Sequence, residues 1–128
     1  MSANNTPLIE EDAFSSQLDQ ETRKAKIRSL NDTLRKHATG GIYLLSRGVA
    51  AQDEFTRIQV LLEIALETSF DEQNDPFNEH DFGKVEYEEF KYFWKIDYYD
   101  KDLQFASKDP SNPDITTRVM TIMLAEEY

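Results

Sequence analysis

A strict alternation of side chains runs through Tyr92–Tyr99 and defines that segment as a β-strand. Trp94 and Ile96 share one side of the segment, while charged and aromatic residues share the other. A period of two is that of a strand with one buried face. Lys84–Glu88 is predicted as a neighbouring strand, and the short Glu89–Lys91 connection predicts an antiparallel hairpin between the two.

Apolar residues at helical spacing predict three helices elsewhere in the chain. We expect them at about Gln20–Ala38, at about Asp53–Ser69 and from about Asp114 onward. A short apolar run at Ile42–Arg47 predicts another strand, buried on both faces.

The predicted helix at about Asp53–Ser69 has one broad apolar side and one charged side. The charged side carries Glu54, Arg57 and Glu63. The apolar side consists of Phe55, Ile58, Leu61, Leu62 and Ala65. This pattern is typical of an amphipathic helix that packs its apolar side on a core.

These elements predict an α+β fold in the order α-β-α-β-β-α. We expect one small domain over residues 20–128, with about three strands, including a C-terminal β-hairpin, covered by about three helices. A length of 128 residues suits a single core of this kind. Residues 1–19 carry four acids and no basic residue, which predicts a flexible tail. Alternatively, this segment folds on a partner, since Phe14 and Leu18 lie at helical spacing.

The composition excludes several classes of function. The chain has no cysteine, which excludes disulfides, thiolate catalysis and zinc or iron–sulfur sites held by cysteine. With 14 basic and 25 acidic residues its net charge is −11, which argues against direct binding of nucleic acid. No apolar run is long enough to span a membrane, and the first residues do not resemble a signal peptide. We therefore expect a cytoplasmic protein without a bound cofactor.

Residues 71–83 form a long polar loop, DEQNDPFNEHDFG, and supply the first candidate site. We predict a polar site from Arg47, His80, Asp81, Asp97 and Asp100. An imidazole beside carboxylates suits a divalent metal or general acid–base chemistry, and His80 and Asp81 are the candidate metal ligands. Alternatively, these loop residues hydrogen-bond to backbone groups, and Arg47 forms an internal salt bridge.

The second candidate site is an acidic surface. Residues 71–102 contain 11 acidic and 4 basic residues, a local charge of −7. A rigid acidic surface attracts basic protein grooves at long range. The predicted surface consists of Asp71, Glu72, Asp75, Glu79, Glu86 and Glu88.

Four sequence blocks resemble a family of small bacterial domains of unknown function that carries an HDFG motif. The blocks are Thr39–Ala50, Asn74–Gly83, Phe93–Leu103 and Asp109–Tyr128. The similarity covers about Ile27–Tyr128. Members of that family resemble accessory genes of plasmids and integrated elements, and the resemblance implies no catalytic activity.

Three functional hypotheses follow. The favoured one is a protein that binds and inhibits, or modulates, a nucleic-acid-binding defence system of the anti-CRISPR or anti-restriction type. Its partner would be a nuclease or a CRISPR component. The alternative is a metal-dependent hydrolase or nuclease-like domain that uses His80, Asp81 and Asp97. A third hypothesis is a small oligomer whose hairpin pairs edge to edge.

Overall fold

The computed structural model describes residues 5–128, and within the first helix it describes side chains from residue 15 onward. The elements are α1 (Asn5–His37), β1 (Gly41–Leu45), α2 (Arg47–Ala50), α3 (Glu54–Leu66), β2 (Phe82–Tyr87), β3 (Phe90–Tyr99), β4 (Thr117–Leu124) and a 3₁₀ turn (Ala125–Glu127). The predicted α+β class is confirmed. Within residues 5–128, every helix is too short or too polar to cross a membrane.

The four strands form one mixed sheet in the order β1-β4-β3-β2. β1 runs parallel to β4, with Gly41 opposite Arg118. β4 and β3 are antiparallel, as are β3 and β2. The predicted hairpin is confirmed, but its turn is Glu88–Glu89 and not Glu89–Lys91, since Phe90 already pairs with Tyr87. Glu88 has a φ of 57° in this tight turn.

The predicted C-terminal helix is wrong, because that segment forms strand β4. Residues Val119 and Met120 face opposite sides of the sheet and both are buried. A central strand is apolar on both faces, so its sequence is a continuous apolar run. Such a run also satisfies helical spacing, and periodicity alone does not separate the two. The sheet therefore has four strands, and the hairpin is followed by one more strand.

The prediction that β1 is buried on both faces is also wrong. β1 is an edge strand, and Ile42 and Leu44 are 39% and 51% exposed. An apolar run does not predict whether a strand lies at the centre or at the edge of its sheet, because this position depends on which other strands pair with it.

The core lies between one face of the sheet and the helices α1 and α3. Trp94 and Ile122 are fully buried in the centre of this face, against Leu34 of α1 and Ile64 of α3. The alternation predicted for β3 is confirmed, since Tyr92, Trp94 and Ile96 all point into this core.

Helix α1 begins at Asn5, earlier than the predicted start near Gln20. Residues 15–23 are exposed, and the first buried side chain is that of Ile27. Residues 1–4 of the predicted tail lie outside the described part of the chain, and the backbone of residues 5–19 continues α1. The flexibility of this segment in solution stays a prediction.

Candidate functional site

His80 lies in a polar contact network just before β2. Its Nδ1 lies 2.9 Å from Asp32 Oδ1 of α1, and its ring stacks on Phe70 at 3.9 Å between centroids. Burial raises the pKa of Asp32, but hydrogen bonds from Arg35 and His80 outweigh it and bring that pKa below its ordinary value. An ionised Asp32 accepts only, so Nδ1 of His80 carries the proton.

Arg35 connects this contact to the end of α3. Its buried guanidinium donates to Asp32 Oδ1 at 2.8 Å and to the carbonyl oxygens of Ile64 and Glu67 at 2.7 and 2.8 Å. It also lies over the Phe70 ring, 5.1 Å from the centroid. The last carbonyls of a helix lack partners within the helix, and Arg35 supplies one. Asp32, Arg35 and His80 thus fasten α1, α3 and the polar loop together.

Asp75 shapes the loop from inside. Its side chain is buried, and Oδ1 accepts from the backbone N–H groups of Glu79 at 2.9 Å and of His80 at 3.2 Å. An Asp side chain that bonds to backbone N–H groups ahead of it holds a turn in place of a backbone partner. This bonding agrees with the alternative interpretation of the loop, in which its polar residues serve the backbone.

A second polar chain crosses the core from β4 to α1. Buried Arg118 donates through Nε to Asn31 Oδ1 at 2.9 Å and also donates to the carbonyl of Pro110. Asn31 Nδ2 donates to the Tyr98 hydroxyl at 2.8 Å, and that hydroxyl donates to Glu79 Oε1 at 2.9 Å. Burial raises the pKa of Tyr98 and lowers that of Arg118. This series of hydrogen bonds gives partners to polar groups that would otherwise be buried without them.

Asp81 directly follows His80, and the pKa of its carboxyl is raised to about 6. Burial is the largest cause, followed by repulsion from the carboxylates of Glu79 and Asp75. An acid of this kind exchanges protons near neutral pH, which is a property of general acids and bases.

The five residues of the predicted polar site do not converge. His80 and Asp81 lie together before β2, whereas exposed Arg47 follows β1, and these strands are the two edges of the sheet. Three strand spacings separate the edges, about 14 Å.

The two remaining residues of that predicted site have partners of their own. Asp97 accepts from Lys95 Nζ at 2.7 Å on β3. Asp100 accepts from the backbone N–H of Gln104 at 3.0 Å in the turn after β3. Each carboxylate therefore serves its own strand or turn.

No group of three His, Asp or Glu side chains in residues 15–128 is arranged to hold a metal ion. His80 has Nδ1 committed to Asp32 and one ring face covered by Phe70. A concavity of about 430 Å³ lies nearby on the sheet, but neither His80 nor Asp81 lines it. Its lining consists of Asp71, Gln73, Asn74, Phe82, Lys84, Phe93 and Tyr128.

The predicted acidic surface is only partly a surface. Asp71, Glu72, Glu86 and Glu88 are exposed. Asp75 is buried and bonds within the loop, and half-buried Glu79 bonds to Tyr98. The sequence alone does not distinguish these two groups, because the same residue types hold turns in one place and lie in solvent in another.

An exposed apolar stripe on α3 contradicts the prediction that this side of the helix packs on the core. The side of α3 that faces the core carries Val60 and Ile64. The opposite side carries Phe55, Ile58, Leu62 and Leu66, which are between 47% and 73% exposed. We call these four residues the α3 stripe. The sequence could have indicated this second apolar side, because 8 of the 13 residues of α3 are apolar and one buried stripe requires fewer.

The fold and these contacts define a small α+β domain in which polar groups lock the loop and an apolar helix face remains open. Residues 45–127 match the family model described as "Protein of unknown function (DUF3768)", and the chain belongs to this family. The match begins after α1 and spans α2, α3, the polar loop and the strands that follow it. A search of curated proteins gave no match. A search of solved structures gave none either.

Proposed function

We propose that this domain acts by binding another protein through the α3 stripe. The observation that carries the proposal is the exposure of four large apolar side chains at spacings of three, four and four residues on one helix. Contiguous exposed apolar patches on soluble proteins mark interaction sites. A helix face with this spacing is one of the common surfaces in protein recognition.

The size of the stripe is consistent with a reversible complex. Completing the burial of a half-exposed large apolar side chain is worth about 1–1.5 kcal/mol, so four contribute roughly 4–6 kcal/mol. A micromolar complex needs about 8 kcal/mol after the losses of association. The stripe therefore supplies the anchors, and polar contacts around it supply the rest.

The polar network supports binding over catalysis. His80, Asp32, Arg35 and Asp75 each make contacts that hold one part of the fold to another. These contacts account for the four residues as parts of the fold, without assigning a reaction to them.

The charge distribution and the sequence resemblance support a narrower form of the proposal. Residues 38–128 contain 8 basic and 19 acidic residues and carry the entire net charge of −11. Such a domain associates faster with a basic partner. We propose a nucleic-acid-binding defence protein in the cytoplasm as that partner, with the domain as an anti-CRISPR or anti-restriction modulator carried on a mobile element.

One observation favours a second function, a metal-dependent hydrolase. The raised pKa of Asp81, beside His80, is the kind of perturbation that active sites use. Thermal unfolding with Mn²⁺ or Zn²⁺ tests it, because a metal that binds only the folded state raises the melting temperature. A shift that disappears in both His80→Ala and Asp81→Asn supports this function. A shift that survives both substitutions removes the two residues as ligands.

Site-specific photocrosslinking in the natural host tests the main proposal. A photoreactive amino acid replaces Leu62 in one variant and exposed Gln104, in the turn after β3, in a matched control. We expect a discrete protein adduct from position 62 and none of the same mass from position 104.

Competition shows whether the adduct reports binding through the α3 stripe. An excess of wild-type protein without the photoreactive group should suppress the adduct, whereas the same excess of Leu62→Glu should not. No adduct at position 62, or equal adducts at both positions, contradicts the proposal.

A further inference from the structure

We infer that the α3 stripe receives an amphipathic helix whose apolar side is flanked by Lys or Arg. This inference rests on the proposed function and specifies the chemistry of the partner.

The shape of the stripe suits a helix. Phe55 and Leu66 are 11 residues apart, about 16 Å along the axis, and the side chains between them form a ridge. Ridges of one helix pack into the grooves of another, at 8–10 Å between the axes. A partner helix of about three turns covers the whole stripe.

Acidic side chains border the stripe on both sides. At 100° per residue, Glu54 and Glu63 lie about 80° and 100° to either side of Leu62, and both are exposed. Neither forms an ion pair within residues 15–128. Arg57 lies about 140° around the helix from Leu62, and its guanidinium donates to the carbonyls of Ala50 and Gln52.

This border complements a basic helix and disfavours a second copy of the chain. Two α3 helices packed on each other would place acidic borders side by side, in molecules that each carry a charge of −11. Residues 23–36 of α1 carry six basic residues and one acidic residue. In a second copy this segment is not a suitable partner, because its apolar residues Ile27 and Leu34 are buried in its own core.

A synthetic peptide provides the probe. It is a fluorescent helix of about five turns with leucines on one side and lysines on the other, and its control has glutamate at every lysine position. Fluorescence anisotropy measures the binding of both peptides to the full chain. We expect a micromolar Kd for the lysine peptide and roughly tenfold or weaker binding of the glutamate peptide.

Matched variants locate the binding surface. Leu62→Glu should weaken the binding of the lysine peptide by roughly tenfold or more. Circular dichroism should show that this exposed substitution leaves the fold intact. Glu54→Lys/Glu63→Lys should weaken it about fivefold. Glu86→Lys/Glu88→Lys makes the same charge change on the β2–β3 hairpin and should weaken it by less than about twofold.

Three results overturn the inference. They are equal effects of the two charge reversals, equal binding of the two peptides, and a dimer in sedimentation that Leu62→Glu dissociates. If photocrosslinking at position 62 still captures a protein, the proposed function stands, and only the inference that the partner is a helix flanked by Lys or Arg is rejected. If position 62 captures nothing, the proposed function itself fails.

Discussion

At the scale of single residues, His80 and its neighbours act as a junction between elements that are far apart in sequence. Asp32 and His80 are separated by 48 residues, and Arg118 and Asn31 by 87. Each contact ties α1 to a different part of the domain. Because the groups are buried or half-buried, removing one partner leaves the other without a hydrogen bond. The free energy lost in this way exceeds the net stabilisation that the hydrogen bond itself provides.

Replacing Arg35 with Met should destabilise the domain by roughly 3 kcal/mol. The substitution keeps the apolar volume but leaves Asp32 and the carbonyl oxygens of Ile64 and Glu67 without their donor. Urea unfolding measures the change, and exposed Lys36→Met on the same helix serves as the control. Equal stability of the two variants would show that Arg35 does not hold α3.

Asp81 should make stability fall as pH rises through about 6. The pKa of its carboxyl is raised in the folded state, from 3.8 to about 6, so the folded state binds the proton more tightly than the unfolded state does. The loss of folding stability that ionised Asp81 causes is therefore absent below about pH 4, grows between about pH 4 and 6, and is complete above about pH 6.

Asp81→Asn should accordingly stabilise the protein at about pH 7.5 by roughly 1–2 kcal/mol, because the partial exposure of the carboxyl reduces the full cost that the raised pKa implies. At about pH 4 the gain should vanish. Urea unfolding at the two pH values measures it, with exposed Glu89→Gln as the control. A gain that is the same at both values would contradict the assigned pKa.

At the scale of elements, position in the sheet decides what an apolar strand does. β4 is paired on both sides, whereas β1 is paired only with β4. α3 shows the corresponding effect for a helix, because one of its apolar sides meets the core and the other meets solvent.

The two strands should respond differently to the same substitution. Ile122→Ala empties a fully buried site on β4 and should destabilise the domain by about 3 kcal/mol. Ile42→Ala on β1 removes a side chain that is partly exposed and should destabilise it by less than about 1 kcal/mol. Thermal unfolding compares the pair, and similar losses would contradict the central position of β4.

At the scale of the whole molecule, charge is divided unevenly along the chain. The first 37 residues are neutral overall, with six basic and six acidic residues, and the remainder carries −11. Arg28 donates to the carbonyl of Asn78 at 2.9 Å, and Arg23 lies 3.9 Å from Asp109, so basic residues of α1 contact the acidic part.

The net charge should keep the protein monomeric. Molecules of charge −11 repel one another, and the acidic border of the α3 stripe adds to this. Sedimentation equilibrium at about 100 μM and low salt should give the mass of one chain, 14.9 kDa. A dimer there would support the alternative of an oligomer that pairs through its hairpin or another edge.

Features that depend on near neighbours were predictable from the amino-acid order. The β2–β3 hairpin follows from a two-residue period and a short turn, and α3 follows from helical spacing and from Asp53, whose side chain accepts from Thr56 N at 2.7 Å at its start. The net charge is likewise a property of the composition. In each case the physical cause lies within a few residues, so the pattern that predicts the feature also produces it.

Features that depend on which elements meet required the folded molecule. β4 is a strand because β1 and β3 pair with it, and the side of α3 that carries Leu62 is exposed because Val60 and Ile64 occupy the core instead. His80 is a fastening residue because folding brings Asp32 to it. Apolar side chains and carboxylates have the same chemistry whether buried or exposed, and only the packing of distant segments assigns them to one environment or the other.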